Sequence, residues 1–228
     1  MKLTHIGAML VAVLACAGAA HAEDPSLSVD EKNDQVGKQA HTFFFRARAI
    51  WIVPEDNRSS ISVIGGTVNV TSSVAPEVDL SYFFTEHIAL EGILAPPTRH
   101  GVWAYGTELG NFRVATVDVL APTFTMQYHF LPERRFSPYI GAGITAALFH
   151  APFPKAPFIT DISFKNHIGP AIEVGFDYNI RGRWFANLDV KQLFLNTQAP
   201  ITAINGAAIF AKTGLDPILF GVGVGYRF

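Results

Sequence analysis

Arg46 and Arg48 stand two residues apart, as do Glu77 and Asp79, and Asp189 and Lys191; Glu173 and Asp177 stand four apart. On a β-strand, spacings of two and four place each set on one face. Guanidinium groups facing carboxylates on other strands can form bidentate ion pairs. Where water is excluded, such charges have to be paired. One other set could do chemistry: His129 and Asp177, with Thr125 or Ser81 as a nucleophile. Its usual supports are missing from the sequence, which has no G-x-S-x-G, no H-E-x-x-H and no clustered metal-ligand spacing. The chain is therefore expected to be no enzyme, with no catalytic residue, no cofactor and no metal. The run Gly221-Val222-Gly223-Val224-Gly225 is no nucleotide loop, because no helix follows it. Glycine there leaves room for bulky neighbours.

The chain that must position these charges has 228 residues, 49% of them hydrophobic and only 16% charged, against about a quarter charged in soluble domains. Mean hydropathy is +0.25. A net charge of -2 gives no reason to expect nucleic acid as a partner. The single cysteine excludes an intrachain disulfide. Met1 to Ala22 has the pattern of a secretory signal peptide: Lys2, an apolar stretch from Gly7 to Ala20, and the small-x-small site Ala20-His21-Ala22. Cleavage near Ala22 removes Cys16 and Lys2. A lipoprotein box at Val13 to Cys16 is the rival reading, but Leu14 sits one place too close to the cysteine. No later run of about 20 apolar residues could span a bilayer as a helix. An exported, apolar, helix-free chain points to the cell outer membrane and a β-barrel.

Glu23 to Ala40 is polar and aperiodic and is expected to be a mobile periplasmic tail, residues 23–40, ahead of a barrel over residues 41–228. From there the period is two. Eight strands are expected: His41–Pro54, Val74–Phe84, Ile88–Ala95, Thr116–Phe130, Pro138–Phe149, Ile168–Ile180, Trp184–Leu195 and Leu215–Phe228. The fold class is all-β, an eight-stranded antiparallel transmembrane barrel. Short connections at 85–87, 131–137 and 181–183 are expected to be periplasmic turns. Four long ones, at 54–73, 96–115, 150–167 and 196–214, are expected to be extracellular loops. Tyr82, Phe84, Tyr128, Phe130, Tyr139, Tyr178, Trp184, Tyr226 and Phe228 then form a girdle at the periplasmic interface, with Trp51, Phe194 and Trp103 at the outer one. Tyr226 and the terminal Phe228 match the kind of signal that outer-membrane assembly machinery reads.

Seven stretches in this order resemble the outer-membrane protein W (OmpW) family over about Phe43 to Phe228. They are Arg46-Ala47-Arg48, Pro76 to Phe84, Ala121 to Phe130, Pro138 to Gly143, and Asp189-Val190-Lys191 followed by Leu215-Asp216-Pro217 and Gly221 to Phe228. The resemblance implies an eight-stranded barrel with a narrow, hydrophobic channel, uptake of small hydrophobic molecules, stress responses and, in some members, colicin reception. It does not carry over a ligand.

An eight-stranded barrel is just wide enough for side chains or one small ligand. Placed by height, Arg46, Arg48, Asp79, Glu91, Glu173, Asp177, Asp189 and Lys191 fall in the lower and middle lumen. They are expected to form a charged plug, more a structural ion-pair core than a selectivity gate. Val117, Val119, Ala121, Ala147, Phe149 and Leu193 line the upper lumen, as an apolar pocket or as simple filling. With the floor plugged, a ligand must leave sideways, and Pro122 and Pro170 are the places where a missing N–H could weaken the wall. Expected partners are outer-membrane lipid and lipopolysaccharide, the barrel assembly machinery, periplasmic chaperones and small hydrophobic ligands. The expected function is an outer-membrane channel for small hydrophobic molecules, with lateral release into the membrane. The alternative is a non-transporting surface barrel that works as a receptor, adhesin or stress-response protein through its loops.

Overall fold

The computed structural model describes residues 37–228 except 56–58, 63, 158 and 204–207. The expected signal peptide and most of the expected tail lie outside the described residues. Fifteen strands follow in chain order: β1 (Phe43–Val53), β2 (Ser60–Ile61), β3 (Thr67–Val70), β4 (Ser73–Phe83), β5 (Ile88–Leu94), β6 (Thr98–Thr107), β7 (Gly110–Leu120), β8 (Thr123–His129), β9 (Phe136–Pro154), β10 (Ile159–Ile162), β11 (His167–Arg181), β12 (Trp184–Leu193), β13 (Asn196–Ala203), β14 (Ala208–Gly214) and β15 (Ile218–Arg227). Eight of them close a barrel in the order β1-β4-β5-β8-β9-β11-β12-β15, and β15 returns to β1. Every pair is antiparallel. We call the end carrying the C-terminus and the short turns the lower end.

Strict alternation makes the wall. Along β1, Phe44, Arg46, Arg48 and Ile50 are buried while Phe43, Phe45, Ala47, Ala49 and Trp51 are exposed. The same pattern sets Ala75, Glu77, Asp79, Ser81 and Phe83 inward on β4, and Thr123, Thr125, Gln127 and His129 inward on β8. Outside, Leu80, Ile144, Ile172, Leu188 and Val222 belong to an exposed apolar belt. Aromatic rings gather at its lower edge: Tyr82 packs on Phe43 and Phe84, Tyr128 on Phe130, and Tyr226 on Trp184 and Phe228, with centroids 4.8–5.2 Å apart. Tyr139 departs from the expected girdle. Ile140 and Ile144 face outward, so the parity of β9 turns Tyr139 inward, where it is fully buried.

Four barrel strands, β4, β5, β8 and β9, continue beyond the closed wall. β3 continues β4 in the same register against β5 and β6, since Val70 faces Val102 and Val78 faces Leu94. β7 continues β8 against β9, with Leu120 facing Leu148 and Thr123 facing Thr145. The expected strand Thr116–Phe130 is thus real but interrupted at 121–122. Each expected extracellular loop contains strand, from about a third of 54–73 to most of 96–115. β6 and β7 form a long hairpin, and β10, β13, β14 and β2 form a separate four-stranded sheet. The alternation Val68/Val70 and Val102/Ala104 within those segments is the physical reason, since each has an apolar face to bury. Val68, Val102, Ala104, Val114 and Ile201 duly form one core cluster above the barrel.

Candidate functional site

The lower lumen is a charged floor. Arg46 Nη1 lies 2.7 Å from Asp79 Oδ1 and 3.3 Å from Glu91 Oε1, and Arg46 Nη2 lies 3.4 Å from Asp177 Oδ2. Arg48 Nη2 is approached by Glu77 Oε1 at 2.7 Å, Asp79 Oδ2 at 2.9 Å and Glu91 Oε1 at 3.1 Å, while Nη1 lies 3.4 Å from Asp189 Oδ1. Lys191 Nζ reaches Glu173 Oε2 at 2.7 Å, Glu91 Oε2 at 3.5 Å and Asp189. The structure therefore brings all eight residues of the expected plug into one network and adds Glu77 to it. All are buried. Neutral groups complete it: Thr125 Oγ1 and Gln127 Nε2 donate to Glu173 Oε1 at 2.7 and 2.8 Å, and Asn187 Nδ2 donates to Asp177 Oδ1 at 2.8 Å. Two glycines make room for it. A Cβ at Gly141 would collide with the Glu173 carboxylate, and one at Gly221 with that of Asp189.

The floor is sealed from below by a residue that lies outside every strand. Lys38 is buried among Phe44, Phe83 and Tyr139, with Nζ 5.6–6.0 Å from the ring centroids. It pairs with Asp177 Oδ2 at 2.8 Å and contacts His129 Nδ1. Its own N–H donates to Pro132 O at 2.8 Å, and Arg227 donates to the carbonyl of Gly37. Burial lowers its pKa from 10.5 to about 8, with Asp177 opposing. Gly37 and Lys38, at the end of the expected tail, are thus held against the barrel. Nothing in the aperiodic sequence around Lys38 marked it. The His129 set is not assembled for catalysis. His129 faces Lys38 and Gln127, Thr125 donates to Glu173, and Ser81 accepts from Arg46.

The upper lumen is an apolar chamber with a cavity of about 100 Å³. Val117, Val119, Ala121, Ala147, Phe149 and Leu193 all line it, together with Val68 and Val102 of the strand extensions and Ile162 and Ile201 of the four-stranded sheet. Simple side-chain filling leaves no such space. Thr98 and His100 are its polar lining, and they satisfy one another: His100 Nδ1 meets Thr71 O at 2.9 Å and Nε2 meets Thr98 Oγ1 at 2.9 Å. Burial pushes the His100 pKa below its usual value. A smaller recess of about 40 Å³ continues downward between Ile52, Ala95, Pro96 and Val119, and reaches Glu77 and Lys191 at the top of the floor.

Beside this recess the wall is incomplete. β4 pairs with β5 only up to Val78↔Leu94, and pairing with the neighbouring chain resumes at Val70↔Val102. On the other side, β5 pairs with β8 up to Ile93↔Thr123, and pairing resumes at Thr98↔Val119. Residues 95–97, Ala95-Pro96-Pro97, are therefore held by a ladder on neither side. An unpaired N–H inside a membrane is costly, and the two prolines have none to leave unpaired. Pro122 stands on the far flank of this gap, and Pro76 on the near one. Pro170 does not mark a break. It faces Ile144 in a continuous ladder with β9, and its carbonyl accepts from Phe194 N at 3.0 Å. In the sequence Pro96 opens an expected extracellular loop, so neither Pro96 nor Pro97 stands out as a wall residue.

A model of the OmpW family matches residues 39–228. The uncharacterized outer-membrane protein y4mB of Sinorhizobium fredii is 38% identical over 97% of this chain and 94% of its own length. Outer membrane protein W of Escherichia coli is 31% identical over 83% of this chain and 90% of its own. The dibenzothiophene metabolism operon protein PahQ of Pseudomonas aeruginosa is 23% identical and covers 73% of this chain and 77% of its own. The crystal structure of outer membrane protein OprG from Pseudomonas aeruginosa matches with a TM-score of 0.78 at 25% identity, over 84% of this chain and 98% of that one.

Proposed function

The chain belongs to the OmpW family and is an outer-membrane β-barrel, and on that premise we propose that it passes small hydrophobic compounds from the outside into the membrane. The upper end faces outward and the lower end faces the periplasm. A compound enters the apolar chamber, meets the charged floor and leaves sideways past residues 95–97. The observation that carries this reading is the order of the parts: apolar chamber above, ion-paired floor below, unpaired wall between. An apolar solute gains about 25 cal/mol per Å² on leaving water for the chamber. It would have to displace paired, buried charges to go through the floor, so the wall is the easier exit. A relative named for a dibenzothiophene metabolism operon supports a polycyclic, apolar cargo.

Uptake of dibenzothiophene by cells with an intact lipopolysaccharide layer tests the proposal. Cells carrying the barrel are expected to take it up several times faster than cells lacking it. Equal rates, with the barrel folded in the outer membrane, would refute transport and favour a role for the outer strand extensions as a receptor surface.

A further inference from the structure

The recess that joins chamber to floor has one corner the transport reading does not use. Within the ion-paired floor, the described residues include four cations, Lys38, Arg46, Arg48 and Lys191, against six carboxylates, Glu77, Asp79, Glu91, Glu173, Asp177 and Asp189. The surplus is negative, and the shortage of donors is sharpest at Arg48. Its Nη2 carries two hydrogens, yet three carboxylate oxygens lie within 3.1 Å of it. Glu77 Oε1 lies 2.7 Å from that nitrogen but, like Asp79 Oδ2 and Glu173 Oε2, is buried and accepts no well-directed hydrogen bond from any described residue. Glu77 is also the carboxylate of this network that lines the recess, on the edge of β4 that borders the wall gap.

We propose that this recess takes the cationic head of an amphiphile, with the Glu77 carboxylate as its partner and the apolar tail in the chamber above. The inference rests on the reading of the chamber as a ligand site. Lys191 also lines the recess and would favour an anionic head, but three carboxylates already surround it, from Glu173, Asp189 and Glu91. Glu77 shares one guanidinium nitrogen with two competitors. The local balance therefore favours a positive head. An ammonium group supplies Oε1 with a well-directed donor beside its ion pair with Arg48 and reduces the negative surplus, as a charge-assisted hydrogen bond in a site shielded from water. Size agrees. A water-sized group needs about 10–15 Å³ of such space, so a recess of about 40 Å³ holds a head of a few heavy atoms. The class selected is thus a short alkyl or aryl chain ending in a primary ammonium, above an alcohol of equal length and well above a carboxylate.

The test uses the full barrel in lipid nanodiscs and three soluble probes with one tail: hexylammonium, 1-hexanol and hexanoate at neutral pH. Calorimetry against empty nanodiscs gives the affinities. Hexylammonium is expected to bind about tenfold more tightly than 1-hexanol, and hexanoate most weakly. Glu77→Gln brings hexylammonium to the level of hexanol, whereas Glu77→Asp keeps the order. The wild-type ranking decides even if a variant does not fold. Equal affinities for the three heads, or a preference that persists in folded Glu77→Gln, overturn the inference while leaving the chamber reading intact. If no probe binds the folded wild-type barrel, both readings fail.

Discussion

The floor and the chamber are built from the same strands with the same alternation, yet their inward faces obey opposite rules. The side chains that fill the floor, among them Arg46, Arg48, Glu91, Glu173 and Lys191, are charged or polar, and each charge has a partner within a few ångströms. In the chamber the inward positions are Val, Ala, Ile, Leu and Phe, and the polar exceptions satisfy each other. The filled region is the polar one. Long arginine, lysine and glutamate side chains reach across an eight-stranded lumen and close it, whereas the shorter valine and alanine side chains leave space. Polarity in this barrel closes the path, and apolarity opens it.

The strongest way to break that contrast is to unpair the floor. Arg48→Met removes the cation that faces Glu77, Asp79, Glu91 and Asp189. Uncompensated buried charge typically costs about 3–5 kcal/mol. The midpoint of urea unfolding, followed by gel mobility, is expected to fall accordingly; an unchanged midpoint would show that the floor is wet. Next comes the wall. Pro96→Val with Pro97→Val restores two N–H donors and lets 95–97 pair with its neighbours. Uptake of dibenzothiophene is expected to drop about tenfold, a difference of about 1.4 kcal/mol in barrier, while binding to the chamber persists. Loss of both together would place the variants' effect in the chamber instead.

Lys38 gives a smaller effect, with a defined sign. Its pKa is about 8 in the folded barrel against 10.5 ordinarily. Between those values the unfolded chain binds more protons, so stability is expected to rise with pH from about 8 to 10.5, by at most about 1.4 kcal/mol per unit. Lys38→Met removes that rise. A slope unchanged by the substitution would assign it to another group. Least of all is Arg99→Ala. Arg99 pairs with Asp118 at 2.8 Å, but on the exposed outside of the β6–β7 hairpin. Exposed pairs contribute little, so the unfolding midpoint should not move measurably.

Alternation carried most of the fold. Eight strands, their inward faces, the eight plug residues and the six chamber residues all follow from period two, because a barrel wall has only two sides. Three features did not follow. The strand extensions were hidden because 54–73 and 96–115 are rich in turn-forming residues, which outweighed short alternations such as Thr67-Val68-Asn69-Val70. Lys38 has no periodic neighbours, and only the tertiary pocket of Phe44, Phe83 and Tyr139 gives it a place. The wall gap needs register on both sides at once. Proline content shows where a donor is missing, but not whether a neighbouring strand needed it, which is why Pro122 borders the gap and Pro170 does not.

Transport through this barrel requires that the upper chamber hold an apolar solute. The direct measurement is equilibrium binding of naphthalene to the folded barrel in nanodiscs, for wild type and for Val119→Glu, which places a charge in the chamber lining. Saturable binding by wild type and a loss of about 100-fold, or about 2.7 kcal/mol, in the variant are expected. Saturable binding that survives the buried charge, or none by the folded wild type, would contradict this expectation.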